Sequence, residues 1–288
     1  MTSYESWRQL YLPAAATLGD RWQGKVVAIT GGTSGIGLAT AIRAALQGAH
    51  VTVCGRSVAR WNEAATYIRA AIQRKDIHPC SIAYTQADVR VPAQMQRWLQ
   101  PHSIYLLVNC AGIAPQPRPL AQIVFPPLDQ IATPEYEGVE NAIYTDLLGS
   151  IFCTQAAIPH MERGGSIVCV SSINAFIGAP GGADYAIAKS GVLGLVKSIA
   201  AEAREMQQNI RVNAVAPGPV ETPLLMNQKP ASMDDDTFLK LASAGTIQQR
   251  VARPAEVASV ICFLGSARAS YVNATTINVD DGVLEERM

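Results

Sequence analysis

The sequence predicts an α/β fold: a doubly wound, seven-stranded parallel sheet with helices on both faces, in a single domain. Short β-branched runs alternate with longer Ala-rich stretches from residue 25 onward, which is typical of strands alternating with helices. The runs 26–29 and 104–108 have no polar side, so both strands are expected in the interior of the sheet, covered on both faces. With 288 residues, 49% hydrophobic and 16% charged, the chain can bury a large core.

Seven strands and six helices follow from the periodicity along the chain. Strands are expected at 25–30, 50–54, 81–86, 104–108, 166–170, 210–215 and 275–279. Helices are expected at 36–47, 58–74, 92–100, 134–161, 183–208 and 254–265. Residues 1–24 are interpreted as an N-terminal extension. The irregular stretches 113–132 and 216–250 each follow a strand and are expected at the carboxyl edge of the sheet, where open α/β proteins bind ligands.

Composition and charge exclude several classes of partner. Lys plus Arg and Asp plus Glu both number 23, so no net charge attracts nucleic acid, although self-association stays open. No run reaches the ~18 apolar residues of a membrane span, and no signal pattern opens the chain. The six cysteines lack paired spacing and the four histidines lack ligand-like spacing. We therefore expect a cytoplasmic protein with reduced thiols and no metal.

A glycine-rich turn follows the first predicted strand. Its sequence is Thr30-Gly31-Gly32-Thr33-Ser34-Gly35-Ile36-Gly37, and an Ala-rich helix comes next. Glycine lets the backbone approach a pyrophosphate, whose charge is received by the N–H groups and the dipole at the helix start. The order of strand, turn and helix indicates a dinucleotide site, although a tightly packed βα connection would show the same glycines. The residues expected at the cofactor are Gly31, Thr33, Ser34, Gly35, Ile36 and Gly37.

The end of the second predicted strand indicates which dinucleotide is bound. A free ribose 2′-hydroxyl is normally met there by an acidic side chain, and this chain has Gly55 and Arg56 instead. A guanidinium can pair with a 2′-phosphate through two charge-assisted hydrogen bonds. The sequence thus favours NADP(H) and leaves NAD(H) open, because Arg56 is equally consistent with a surface residue at a helix start.

A serine, a tyrosine and a lysine form the candidate catalytic group. Ser172 follows the fifth predicted strand, Tyr185 lies 13 residues later, and Lys189 stands at i+4 on a predicted helix. That spacing places the phenol and the ammonium on one helical face. An unperturbed tyrosine is only about 0.1% phenolate at pH 7, and an adjacent cation increases that fraction. Ser172 would hydrogen-bond the substrate oxygen beside the phenol, but Tyr-x-x-x-Lys alone is also common as an exposed helical pair.

Together, the glycine turn, Ser172, Tyr185 and Lys189 make residues 25–283 resemble the short-chain dehydrogenase/reductase family. The resemblance implies a Rossmann-like fold, makes 25–288 a dinucleotide-binding catalytic domain, and implies a homodimer or homotetramer. In that family the lysine also binds the nicotinamide ribose, and the tyrosine exchanges a proton with the alcohol oxygen. Segments that match the family imply further cofactor contacts at Asp88, Val89, Asn109, Ala111, Gly112, Pro217, Gly218, Val220 and Thr222.

The residue that completes the catalytic tetrad of the family differs in this chain. The family usually has Asn in an Asn-Leu-x-Gly stretch, and this chain has Asp146-Leu147-Leu148-Gly149. An ionised Asp146 about 6 Å from Lys189 would offset the lysine charge by about 2.8 kcal/mol at an effective dielectric constant near 20. Asp146 is therefore expected to be protonated, to point away, or to shift the optimum to higher pH. A near-isosteric replacement with modest effect is the alternative.

Three other features of the sequence bear on the assembly and on the surroundings of the site. Near the end of the chain, Ala274 and Asp281 stand where the family commonly has glycine, which puts assembly and pocket shape in question. Asp184, just ahead of Tyr185, is expected to be a solvated carboxylate in a first helical turn. Several apolar residues follow Thr222. They would form either a substrate lid or a surface patch packed on the body of the protein, and they are Leu224, Leu225, Met226, Met233 and Phe238.

These patterns predict an enzyme that interconverts a ketone and a secondary alcohol with NAD(P)(H). Tyr185 would be the acid/base, Ser172 would position the oxygen, and Lys189 would tune Tyr185. The substrate is expected to be a small apolar molecule. The alternative is a relative of the family that binds dinucleotide but catalyses an isomerisation or a cyclisation, or acts as a sensor.

Overall fold

A computed structural model contains the seven-stranded sheet that the sequence predicts. The structure describes residues 11, 22–73, 80–125, 127, 129–130, 141–178, 182–205 and 208–285. The strands are β1 (Val26–Thr30), β2 (His50–Gly55), β3 (Ile82–Gln86), β4 (Ile104–Asn109), β5 (Met161–Val170), β6 (Arg211–Pro217) and β7 (Thr276–Val279). Their order is β3-β2-β1-β4-β5-β6-β7 and every neighbouring pair is parallel, so the predicted single Rossmann-like domain is confirmed.

Helices cover both faces of this sheet. They are α1 (Gly35–Leu46), α2 (Val58–Gln73), α3 (Pro92–Leu99), α4 (Gly149–Ala157), α5 (Ala183–Glu205), α6 (Pro223–Met226), α7 (Asp235–Ala242) and α8 (Pro254–Gly265). One buried cluster joins α1, α2 and α8 to the sheet, and a second joins α3, α4 and α5 to the opposite face. Since β1 and β4 are enclosed between these clusters, the prediction that both lie in the interior is confirmed.

The predicted helix 134–161 differs most from the structure. Residues 134–140 lie outside the described part of the chain, and from Ile143–Leu148 the chain forms a π-helical segment that leads into α4. Pro159 falls in the short 3₁₀ turn that follows, where its missing N–H ends the helix. Met161 pairs with Ile104 as the first residue of β5, and a register shift in β4 accommodates the longer strand.

The predicted irregular stretch after β6 is partly helical, and most of the predicted N-terminal extension is not described. The stretch 216–250 was expected to be irregular, but it contains α6 and α7. Thr222 and Asp234 cap these helices through side-chain oxygens that accept backbone N–H groups, a local signal that the sequence contains. Of the predicted extension 1–24, only Tyr11 and residues 22–24 are described, so the rest of that interpretation lies outside the described residues.

The order of the strands reverses between β1 and β4, and this places the site. In open α/β sheets a ligand binds in the crevice outside the carboxyl ends of the strands at such a point. The hydroxyl of Thr30, the last residue of β1, accepts the backbone N–H groups of Cys110 and Ala111 after β4, each at 2.9 Å. The two strand ends that border the crevice are therefore fixed to each other.

Candidate active site

The glycine turn between β1 and α1 lies against the chain that leaves β4. Gly31 has a φ of +67°, and a Cβ at this position would lie 2.8 Å from the Cα of Ala111. A Cβ on Gly37 would overlap the carbonyl oxygen of Gly31. Because α1 begins at Gly35, its first-turn N–H groups and its dipole lie beside this turn. The glycine turn and the start of α1, here called the cradle, thus allow a ligand to approach the backbone closely and offer it N–H donors. A pyrophosphate requires both.

Tyr11 is a contact of the glycine turn that the sequence did not reveal. Its hydroxyl accepts the backbone N–H of Gly35. Burial raises the pKa of Tyr11, and this hydrogen bond opposes the rise. No motif surrounds Tyr11, so only the fold shows that a residue of the N-terminal segment reaches the start of α1.

Arg56 and Asp88 follow β2 and β3 at the same edge of the sheet. Arg56 is exposed and follows β2 directly, and none of the residues His50–Gly55 of that strand is acidic. The carboxylate of Asp88 is held by the guanidinium of Arg90, with 2.7 Å between Oδ2 and Nη2. Burial raises the pKa of Asp88, but the hydrogen bonds and charge of Arg90 outweigh it, so the pKa lies below its ordinary value.

The structure brings Ser172, Tyr185 and Lys189 together. Ser172 lies just beyond the carboxyl end of β5, and its hydroxyl hydrogen-bonds Tyr185, which with Lys189 belongs to α5. The Nζ atom of Lys189 lies 5.5 Å from the centre of the Tyr185 ring. It also donates to the carbonyl of Val170 at 3.0 Å, which ties α5 to the end of β5.

Asp146 forms a buried ion pair with Lys189. Its Oδ2 atom lies 2.9 Å from Nζ, and its Oδ1 atom accepts the backbone N–H of Ile113 at 2.9 Å. Of the outcomes left open for Asp146, the one in which it points away is therefore wrong, and the ion pair is closer than the separation of about 6 Å used for its Coulomb energy. The π-helical segment that carries Asp146 packs against α5, and this packing aims the carboxylate at the lysine.

Charges around Tyr185 oppose one another. Burial raises the pKa of Tyr185, the ammonium of Lys189 lowers it, the carboxylate of Asp146 raises it again, and the hydrogen bond with Ser172 lowers it. The net direction is upward. The same carboxylate raises the pKa of Lys189 above its ordinary value despite burial, so the lysine stays charged.

The remaining expected cofactor residues have varied surroundings. Asn109 is buried and its side-chain amide donates to the hydroxyl of Thr154 at 2.9 Å, so the side chain is used to hold β4 to α4. Gly112 lies over the ion pair, where a Cβ would be 2.9 Å from Oδ2 of Asp146. The hydroxyl of Thr222 accepts the N–H of Leu225 at the start of α6. The other residues expected at a cofactor lie at or just beyond the ends of strands: Val89 after β3, Ala111 after β4, Pro217 at the end of β6, and Gly218 and Val220 after it.

Asp184 is not the solvated carboxylate that its position in the first turn of α5 predicted. It is 2% exposed and forms an ion pair with Arg118, with 3.0 Å between Oδ2 and Nη2. Arg118 belongs to the segment that follows β4, 66 residues earlier in the chain. A pairing over that separation leaves no pattern in the sequence.

Two hydrogen bonds join the segment after β4 to the segment after β6. The side-chain amide of Gln116 donates to the carbonyl of Asn227, and that of Gln228 donates to the carbonyl of Ala114. The two stretches expected to bind substrate are thus linked across the mouth of the site.

In the ranges that the structure covers, no His, Cys, Asp and Glu side chains form a group of three or more that would hold a metal ion. No helix within those ranges combines the length and the apolar character needed to cross a bilayer.

Known proteins resemble this chain over nearly its whole length. A family model described as enoyl-(acyl carrier protein) reductase matches residues 31–284. The 3-oxoacyl-(acyl-carrier-protein) reductase FabG of Thermotoga maritima is 35% identical over 267 residues, covering 92% of this chain and 99% of the relative. The cis-4-hydroxycyclohexanecarboxylate dehydrogenase of Sinomonas cyclohexanicum is 34% identical, covering 92% and 98%. The crystal structure of levodione reductase superposes with a TM-score of 0.75 at 31% identity, covering 92% and 99%.

A parallel sheet with a dinucleotide cradle and a Ser, Tyr and Lys cluster at its carboxyl edge defines an oxidoreductase that uses NAD(P)(H). The family match and the relatives agree, and the chain belongs to the short-chain dehydrogenase/reductase family.

The contact between Gly37 and Gly31 makes the cradle intolerant of a methyl group. We expect Gly37→Ala to weaken binding of NADPH more than about tenfold, because the added Cβ must displace the backbone that approaches the pyrophosphate. Titration of intrinsic fluorescence with NADPH measures the effect. Gly194→Ala is the control: it lies in α5 with no atom within 4 Å of the added Cβ, and should keep affinity while stabilising the helix by about 0.5–1 kcal/mol. Equal affinities in both variants would contradict the prediction.

Proposed function

We propose that this protein interconverts a ketone and a secondary alcohol by hydride transfer with a nicotinamide dinucleotide, and that it prefers NADP(H). The convergence of Ser172, Tyr185 and Lys189 beside the glycine turn carries the proposal. The printed activities of the relatives, a 3-oxoacyl reductase and a dehydrogenase of a hydroxycyclohexane acid, support it.

Tyr185, Ser172 and Lys189 have different roles in the proposed proton transfer. The nicotinamide, when bound, supplies or accepts the hydride. In ketone reduction the hydroxyl of Tyr185 donates its proton to the carbonyl oxygen, and in alcohol oxidation the phenolate takes the hydroxyl proton. Ser172 hydrogen-bonds the same oxygen and orients it beside Tyr185. Lys189, held by Val170 and Asp146, keeps its positive charge near the phenol and would bind the nicotinamide ribose when the cofactor is present.

The preference for NADP(H) rests on the end of β2. Arg56 is exposed there and can pair with a 2′-phosphate, and Gly55 keeps space beside the side chain of Thr33, 3.4 Å from a Cβ at that position. Glycine turn residues Gly31 to Gly37 and Asp88 would hold the rest of the dinucleotide.

Substrate class and assembly are also proposed. Phe176, which follows Ser172 in the chain, is 46% exposed, and the segment after β4 exposes Leu120 and Phe125, which favours an apolar substrate. A homodimer or homotetramer is supported by resemblance to the family, and the six free cysteines support a location in the reducing cytoplasm.

The role of Tyr185 is tested by removing its hydroxyl. Tyr185→Phe should lower kcat by at least about 100-fold and leave binding of NADPH unchanged, because only the proton donor is lost. The assay follows nicotinamide absorbance and product together, with ethyl acetoacetate and 4-oxocyclohexanecarboxylate as probe ketones. Tyr271→Phe, at a fully exposed tyrosine, is the control. Normal turnover by Tyr185→Phe would refute the role, and product formed without a change in absorbance would favour a non-redox reaction.

Asp146 should set the pH dependence of alcohol oxidation. Its carboxylate raises the pKa of Tyr185, so Asp146→Asn should lower that pKa and move the rise of kcat/KM to lower pH by about one unit. The measurement is a pH profile of oxidation of the alcohol produced in the reductive assay. The exposed Asp236→Asn is the control. A profile that does not move would mean that Asp146 acts as a neutral replacement for asparagine.

Arg56 should decide between the two dinucleotides. Arg56→Ala should weaken binding of NADPH about 10- to 100-fold and leave NADH unaffected, because hydrogen bonds from a charged group to the 2′-phosphate are lost. Calorimetric titration with both dinucleotides measures this, and Arg69→Ala, exposed on α2, is the control. If NADH binds the unaltered protein as tightly as NADPH, the preference is wrong.

A further inference from the structure

The segment 112–119 after β4, here called the strap, has side-chain or backbone hydrogen bonds to four residues in the described part of the chain. The N–H of Ile113 donates to Asp146, the carbonyl of Ala114 accepts Gln228, Gln116 donates to Asn227, and Arg118 pairs with Asp184. Two of the four partners lie on the side of the catalytic group, and both are buried carboxylates. The strap therefore connects the mouth of the site to the residues around Tyr185.

The carboxylate of Asp184 contacts both the strap and the first turn of α5. Its Oδ2 atom binds the guanidinium of Arg118, while its Oδ1 atom accepts the N–H of Tyr185 at 2.9 Å. A helix N-terminus leaves its first N–H groups without intrahelical partners, and a carboxylate there fixes them. The same carboxylate thus holds the strap and the backbone of the residue proposed to transfer the proton.

Arg118 provides the charge that allows Asp184 to be buried. A buried carboxylate without a partner is strongly disfavoured, so loss of Arg118 would force Asp184 to rotate toward solvent. This rotation removes the acceptor from the N–H of Tyr185. The charge of Asp184 also reaches the rest of the site: burial raises the pKa of Asp146, and the carboxylate of Asp184 adds to that rise.

We propose that Arg118 is a positioning residue for the reaction, which acts through Asp184 to fix the strap and the first turn of α5 in the arrangement that aligns Tyr185 with the substrate. The proposal rests on the proposed function for its kinetic consequence. Its structural part, order in the strap and in the first turn of α5, is independent of any substrate. Proline on both sides of Arg118 restricts the backbone that presents the guanidinium.

The test compares Arg118→Ala, Arg118→Lys, Asp184→Asn and the double variant Arg118→Ala/Asp184→Asn in the full-length chain. Lys25→Ala is the matched control, because it breaks an ion pair with Glu162 that joins the starts of β1 and β5, away from the strap. Hydrogen exchange is measured on peptides covering the strap and residues 183–190. Steady-state kinetics use NADPH with the probe ketones, and NADPH affinity is titrated separately.

Arg118→Ala should exchange at least about tenfold faster in both peptides and lose about 10- to 100-fold in kcat, because small misplacements of reacting groups cost rate steeply. NADPH affinity should stay within twofold. Arg118→Lys should keep part of kcat because it keeps the charge. The double variant should recover part of kcat relative to Arg118→Ala, since it no longer buries an unpaired carboxylate.

Several outcomes would overturn the inference. Unchanged exchange in both peptides would show that the pair orders neither element. Faster exchange with kcat within twofold of the unaltered protein would show a purely structural contact. If Arg118→Ala does not fold, Asp184→Asn must show the exchange and kcat changes expected of Arg118→Ala, and Arg118→Lys must show smaller changes in the same direction, or the inference fails. Full activity of Tyr185→Phe would instead refute the proposed function and leave the exchange result to stand by itself.

Discussion

The buried ion pair of Lys189 and Asp146 holds the active-site elements in one arrangement. Removing either partner would leave a buried charge uncompensated, at a cost of roughly 3–5 kcal/mol, so the two side chains constrain each other. Each also makes a second contact: Lys189 donates to Val170 at the end of β5, and Asp146 accepts Ile113 after β4. Two side chains thus join α5, β5, the π-helical segment and the strap.

This constraint has an electrostatic consequence for Tyr185. A lysine beside an uncharged partner would act on the phenol with its whole charge, whereas here a carboxylate 2.9 Å from Nζ offsets it. The net effect of burial and these charges is a raised pKa, so Tyr185 keeps its proton at neutral pH. In the proposed reaction a protonated tyrosine is the general acid, so this environment suits ketone reduction better than alcohol oxidation.

The sequence was informative where the chemistry is local. The β-branched runs located all seven strands to within a few residues at most ends, and the glycine turn, Ser172 and Tyr185-x-x-x-Lys189 came together as predicted. The start of β5 was misjudged, because the five residues from Met161 to Gly165 carry no continuous apolar run. The partner of Asp184 was missed because it lies 66 residues away in the chain. The negative charge of Asp184 and its place in the first turn of a helix predict a solvated carboxylate and give no sign of a distant arginine. The contact of Tyr11 with Gly35 was missed because it, too, joins residues far apart in the sequence.

Near the chain end, two residues that differ from the common family pattern keep a backbone conformation that favours glycine. Asp281 and Ala274 stand where the family commonly has glycine, and both retain positive φ, +52° and +56°. That conformation costs an L-residue roughly 1–2 kcal/mol, so compensation is expected. The carboxylate of Asp281 accepts the backbone and side-chain N–H groups of Gln248, and the side chain of Asn273 accepts the N–H groups of Val212 and Ala274. These bonds offset the strain and tie the chain end to β6 and to the segment after α7, so the substitutions preserve the path of the backbone at the edge of the sheet.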